Sequence, residues 1–163
     1  MYTVGIITSS DKGYAGERED KSGELVRALV EAAGFTVVKQ IILPDDREML
    51  ASEFKLMCDE LKVNLVLSTG GTGFSKRDIT PEATKDIIER EAPGICEAIR
   101  MYSMQITKRA MLSRAVSGIR KDTLIVNLPG SPKACKEALD YALDDIKHGI
   151  DILLGTSKEC ARK

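Results

Sequence analysis

Thr69-Gly70-Gly71-Thr72-Gly73 follows the apolar run Leu65-Val66-Leu67-Ser68 directly, and Asp78 and Thr80-Pro81 come soon after. Glycines without a Cβ let a ligand lie against bare backbone N–H groups. Pro81 suits a first helical position, and a helix N-terminus attracts anions. A carboxylate such as Asp78 suits a hard cation that also takes phosphate oxygens. This spacing therefore points to a place for phosphate and a metal ion.

Three other loops carry a matching inventory: Ser9-Ser10-Asp11, Pro44-Asp45-Asp46, and Asn127-Leu128-Pro129-Gly130-Ser131-Pro132. Lys76, Arg77 and Lys133 stand where phosphate charge would need them. Each residue also has a plainer reading. The glycine run could be a tight turn, Asp45 or Asp78 a helix cap or brace, Thr72 and Ser131 turn hydroxyls, and the cations solvated. Standard nucleotide motifs are not met. GxxxxGK[ST] fails at Gly71 to Lys76, and GxGxxG fails because Lys76 stands where the third glycine belongs. There is no Ser-His-Asp or Cys-His set, and His148 on the last helix reads as a surface residue. Phosphoryl or nucleotidyl transfer needs neither. Positioning and charge neutralisation by Mg²⁺, backbone N–H groups and Lys or Arg can lower its barrier.

The elements that must hold these loops alternate. Strand patterns run over Val4 to Ile7, Thr36 to Leu43, Asn64 to Ser68, Val116 to Arg120 and Thr123 to Asn127, with Lys121-Asp122 turning between the last two. Ser22 offers an N-cap for a helix that Gly34 stops. Asp45 with Glu48 has a capping-box spacing ahead of Leu50, Phe54, Met57 and Leu61. A helix from Thr80-Pro81 should run until Pro93-Gly94, and another carries Ile95, Ile99, Tyr102 and Ile106. The last places Cys135, Leu139, Ala142, Leu143, Ile146, Ile150 and Leu153 on one side. Lys12 to Lys21, charged and with two glycines, reads as a mobile surface loop. Met101, Met104 and Met111 read as core or subunit-contact residues. The expected architecture is a three-layer α/β/α domain over residues 1–155 with a mostly parallel sheet and one antiparallel member, then a loose tail at 156–163. Such a sheet gathers the four loops at its carboxyl edge, where ligands bind.

The chain of 163 residues is 43% hydrophobic and 30% charged, which suits one folded domain. A net charge of -1 and 4% aromatic residues disfavour nucleic-acid binding. Cys58, Cys96, Cys135 and Cys160 form no CxxC pair and read as reduced thiols. No basic leader or membrane-length apolar run stands out, so a cytoplasmic protein away from membranes is expected.

The glycine run, Arg77-Asp78-Ile79-Thr80-Pro81-Glu82-Ala83-Thr84 and Asn127 to Pro132 together resemble the molybdopterin adenylyltransferase family. That family includes the bacterial Mog and MoaB proteins and the gephyrin G domain. Ser9-Ser10-Asp11 with Gly16, Asp20, Ser22 and Gly23 is similar to its first loop, and Pro44-Asp45 to its second. The resemblance spans essentially the whole chain. It implies a molybdopterin-binding fold, a homotrimer, and Mg-ATP-dependent adenylylation of molybdopterin with release of pyrophosphate. The product is then handed to molybdate insertion. It implies catalytic and Mg²⁺-binding roles for Asp45 and Asp78. It implies phosphate contacts at Gly70, Gly71, Thr72 and Gly73, and a nucleotide-side loop at Pro129, Gly130 and Ser131. Ser9 and Asp11 join the binding set, with Lys76 or Lys133 offsetting charge. Two rivals remain from the sequence: a pterin-binding carrier without turnover, and a nucleotide pyrophosphatase related to competence-damage proteins.

Overall fold

A computed structural model describes residues 1–157. Six strands form one sheet: β1 Thr3–Ser9, β2 Thr36–Leu43, β3 Leu65–Thr69, β4 Arg90–Glu91, β5 Ser117–Arg120 and β6 Thr123–Leu128. Their order is β2-β1-β3-β6-β5-β4. β2, β1, β3 and β6 run parallel, and β5 is antiparallel to both of its neighbours. The helices are α1 Asp11–Tyr14, α2 Lys21–Ala32, α3 Arg47–Lys55, α4 Thr80–Lys85, α5 Pro93–Met104 and α6 Pro132–Leu153.

Strand side chains alternate between two cores, as the pleat requires. Ile6, Leu65, Leu67, Leu124 and Val126 pack with α2, α5 and α6. Ile7, Val66 and Ile125 pack on the other face with Leu50, Phe54 and Met57. This is the three-layer, mostly parallel arrangement expected, with β5 as its antiparallel member.

Several local expectations change. The helix expected to run from Pro81 to Pro93 stops at Lys85, and β4 follows it. Pairing with β5 (Glu89 N to Ile119 O, 2.9 Å; Ala92 N to Ser117 O, 3.0 Å) outweighs helical continuation there. The expected mobile loop begins instead inside a helix, α1 (Asp11–Tyr14), capped by Ser10 Oγ on Gly13 N at 3.0 Å. Asp20, not Ser22, caps α2. Asp46, not Asp45, caps α3 by accepting from Met49 N. Leu61 and Ile106 are exposed, and Ile106 lies beyond α5. Met101 and Met111 are exposed, so of their two readings the core one is excluded. Cys58, Cys96 and Cys135 are buried, and burial pushes the Cys58 and Cys135 thiols up to about 11, so they stay protonated near neutrality. Cys160 and all of the expected tail except Thr156 and Ser157 lie outside the described residues.

A bidentate pair fastens β5 to the π-helical turn Leu56–Glu60, with Arg120 Nε and Nη2 donating to Asp59 at 3.0 and 2.8 Å. Arg120 holds the Asp59 carboxyl down at about 2 against an ordinary value of 3.8. A folded-state value below the unfolded one stabilises above the unfolded value and fades as pH falls through the folded one. Arg120→Gln should therefore lower the urea midpoint at pH 7. The gap to wild type should narrow as pH falls from about 4 to about 2. A gap of constant size across that range would contradict the assignment.

Candidate active site

β1, β3 and β6 end side by side, with Thr8 opposite Thr69 and Thr69 opposite Leu128. The loops that leave these ends, together with the loop after β2, surround an open cleft of about 790 Å³. That volume lies within the range of small-molecule binding sites.

The Gly70–Gly71 turn forms its floor. Gly70 has φ 88°, and a Cβ there would stand 2.4 Å from the Ser9 carbonyl oxygen. Gly71 has φ 70°, and its Cβ would meet Thr80 Oγ1 at 2.3 Å. Thr80 closes the turn from the other side, donating through Oγ1 to Gly70 O at 2.9 Å and through N to Gly71 O at 3.1 Å. The turn thus has no room for side chains where it packs against the end of β1 and Thr80.

Asp45 is tied to β1's end rather than to its own helix. Its Oδ1 accepts from Ser9 Oγ at 2.7 Å, and its Oδ2 from Asp11 N at 3.1 Å. Asp11 returns the contact by accepting from Asp45 N at 3.0 Å. Arg77 then grips Asp11 with two bonds of 2.9 Å and holds its carboxyl below the usual carboxylate range. Asp78 Oδ2 accepts from Ser75 N at 3.0 Å, while Oδ1 accepts nothing among the described residues.

The third wall belongs to β6 and α6. Pro129 O accepts from Thr69 Oγ1 at 2.6 Å and from Cys135 Sγ at 2.9 Å. Gly130 O accepts from Ser22 Oγ at 2.7 Å. Ser131 Oγ caps α6 through Ala134 N at 3.2 Å. The N-termini of α2 and α6 both border the cleft, at Lys21-Ser22 and Ser131-Pro132. Their dipoles favour a negatively charged occupant.

Of the residues singled out by sequence, Ser9, Ser10, Asp20, Ser22, Asp45, Thr69, Gly70, Gly71, Asp78, Gly130, Ser131 and Pro132 line this cleft. Asp11, Thr72, Gly73, Lys76, Pro129 and Lys133 do not. Asp11 braces Asp45, Thr72 is buried, Pro129 anchors its loop, and Lys76 and Lys133 are exposed. Arg18 and Lys21 are the cations on the cleft wall, beside Glu19 and Asp20, and all four fall in the segment whose composition suggests a mobile loop. The only sequence signal for the two cations was the charge of that glycine-bearing segment. Arg114 was also missed, although it reaches the 70s loop through several bonds. It lies more than 30 residues away in the chain, and no local pattern marks it.

Residues 5–148 match the probable molybdopterin binding domain family. The chain belongs to that family. It is similar to the molybdopterin adenylyltransferase of Helicobacter pylori strain J99, 36% identical over 162 residues, covering 98% of this chain and 92% of that protein. The Haemophilus influenzae molybdopterin adenylyltransferase is 41% identical over 147 residues, covering 88% and 74%. Among solved structures, the molybdopterin biosynthesis enzyme MoaB of Thermus thermophilus superposes with a TM-score of 0.89 at 41% identity, covering 95% of this chain and 98% of that one. CinA of Thermoplasma acidophilum, at 18% identity and a TM-score of 0.68 over 89% and 98%, shares the fold.

Two glycines with positive φ separate backbone strain from close approach. Gly16 has φ 76°, and a Cβ there would meet nothing within 4 Å, whereas Gly70 faces the Ser9 carbonyl. Gly16→Ala should cost about 1–2 kcal/mol in denaturant unfolding. Gly70→Ala should cost more, because the backbone of β1 must also move. Equal losses would mean that the strand ends are looser than described.

Proposed function

We propose that this protein adenylylates molybdopterin with ATP in molybdenum cofactor biosynthesis, releasing pyrophosphate. The observation that carries this reading is the convergence of Asp45 and Asp78, from different strand-end loops, on one cleft floored by Gly70–Gly71. Near full-length similarity to proteins named molybdopterin adenylyltransferase supports it.

The reaction joins an oxygen of the molybdopterin terminal phosphate to the α-phosphorus of ATP. The bond from that phosphorus to the bridging oxygen breaks, and pyrophosphate leaves. The Gly70–Gly71 turn and the start of α6 would hold phosphate oxygens, and Arg18 and Lys21 would offset charge on the leaving side. Ser9 and Asp11 hold Asp45 in place, so the carboxylate need not reorganise when substrate arrives. Lys76 and Lys133, exposed outside the cleft wall, are poorer candidates for charge compensation.

The donor set fits magnesium. No group of three His, Cys, Asp or Glu among the described residues is placed to hold a metal. Mg²⁺, however, commonly uses one or two carboxylates and completes its shell with water and substrate phosphate. Asp78 Oδ1 has no competing donor, and each oxygen of Asp45 accepts one bond and keeps a further lone pair. Asp45 and Asp78 would hold the ion, which would supply charge neutralisation at the phosphates.

The exposed Met101, Met111 and Leu112 suit a subunit contact, and a homotrimer is the assembly we favour. No helix among the described residues is long and apolar enough to cross a membrane, which is compatible with a cytoplasmic step that hands its product to a molybdate-insertion enzyme.

Pyrophosphate should form from Mg-ATP only when molybdopterin is present. Binding of molybdopterin without pyrophosphate would indicate a carrier, and pyrophosphate formed without the pterin would indicate a pyrophosphatase. Asp78→Asn should keep the wild-type unfolding profile while slowing turnover by about 100-fold or more. Near-normal turnover in that variant would remove Asp78 from the mechanism.

A further inference from the structure

Asp78 sits in a loop that crosses from β3 to α4, and residues 74–77 of that loop are exposed. The carboxylate accepts its hydrogen bond from Ser75 N, inside the same loop. The Arg77–Asp11 pair also reaches across to α1, but its side chains are 64% and 41% exposed, so solvent screens part of its hold on the loop.

Arg114, just ahead of β5, makes the stronger connection. Its backbone N donates to Thr72 O at 2.8 Å. Its guanidinium donates through Nε to Gly73 O at 2.8 Å and through Nη2 to Asp78 O at 3.0 Å, and Nη1 pairs with Glu82 in the first turn of α4. One side chain therefore joins the start of the loop, Asp78 and the helix that follows. Arg114 is itself held from α5: Arg100 donates to the carbonyls of Ser113 at 2.9 Å and Ala115 at 2.8 Å, the residues on either side of it.

We propose that Arg114 is the positioning residue for Asp78, and that Arg100 fixes Arg114 in turn. The functional half of this assignment rests on the adenylyltransferase reading given above. The planar fork matters as much as the charge. A lysine offers a point charge on a flexible stem and cannot meet two divergent carbonyls and a carboxylate in this arrangement. Misplacing a catalytic group by about 1 Å can cost on the order of 100-fold in rate.

The test uses the full chain carrying Arg114→Lys, with Arg100→Lys as a milder disturbance of the same relay. Hydrogen exchange at the amides of Ser75 and Asp78 should accelerate by roughly 10-fold or more in Arg114→Lys, and by less in Arg100→Lys. In steady-state assays, kcat should fall about 100-fold for Arg114→Lys while KM for ATP and for molybdopterin stays within about 3-fold. Should Arg114→Lys fail to fold, the Arg100→Lys variant decides by the same two readouts. Unchanged loop exchange would overturn the proposal, as would a lowered unfolding temperature with kcat retained. If the wild-type protein forms no pyrophosphate, the adenylyltransferase reading fails, and the exchange measurement alone decides whether Arg114 holds the loop.

Discussion

The close approach of β3's end to β1's end sets the form of the site. Gly70 lies against the Ser9 carbonyl with no space for a Cβ, and a Cβ on Gly130, following β6, would lie 3.5 Å from Gly70 Cα. Parallel pairing in register brings the three ends level, so their loops begin from one line. Short side-chain bonds then cross-link the loops: Ser9 to Asp45, Thr69 to Pro129 O, Ser22 to Gly130 O and Thr80 to Gly70 O. A bulkier residue at position 70 would separate the ends and disturb every one of these links.

The charges around the cleft are mixed. Asp45 and Asp78 contribute carboxylates from two loops, the 18–21 segment carries Arg18 and Lys21 beside Glu19 and Asp20, and two helix N-termini add positive potential. A polyphosphate approaching the carboxylates alone would meet like charge. Arrival together with a divalent cation removes that conflict, and the helix ends then favour the remaining phosphate charge.

Much of this was legible in the sequence because the responsible signals are local. Apolar runs such as Leu124-Ile125-Val126 suit strands covered on both faces, and the glycine run after Leu67-Ser68 marks a turn where backbone must come close. What escaped depends on distant partners. Pro44-Asp45-Asp46 offers two caps, and only the bonds from Ser9 and Asp11 show that Asp45 is taken by the site and Asp46 by the helix. β4 comprises Arg90–Glu91 and exists through its pairing with β5. Arg18 and Lys21 reach the cleft in the stretch between α1 and the start of α2, and Arg114 bonds to residues far from it in the chain.

Everything proposed for the chemistry depends on one cleft bringing the two phosphorylated substrates together. A crystal structure with molybdopterin and a non-hydrolysable ATP analogue tests this most directly. The pterin phosphate and the nucleotide α-phosphate should lie adjacent in the cleft, over Gly70–Gly71, with Asp45 and Asp78 as the residues that would hold the accompanying metal. Substrates in separate sites, or a nucleotide bound away from the start of α6, would contradict it.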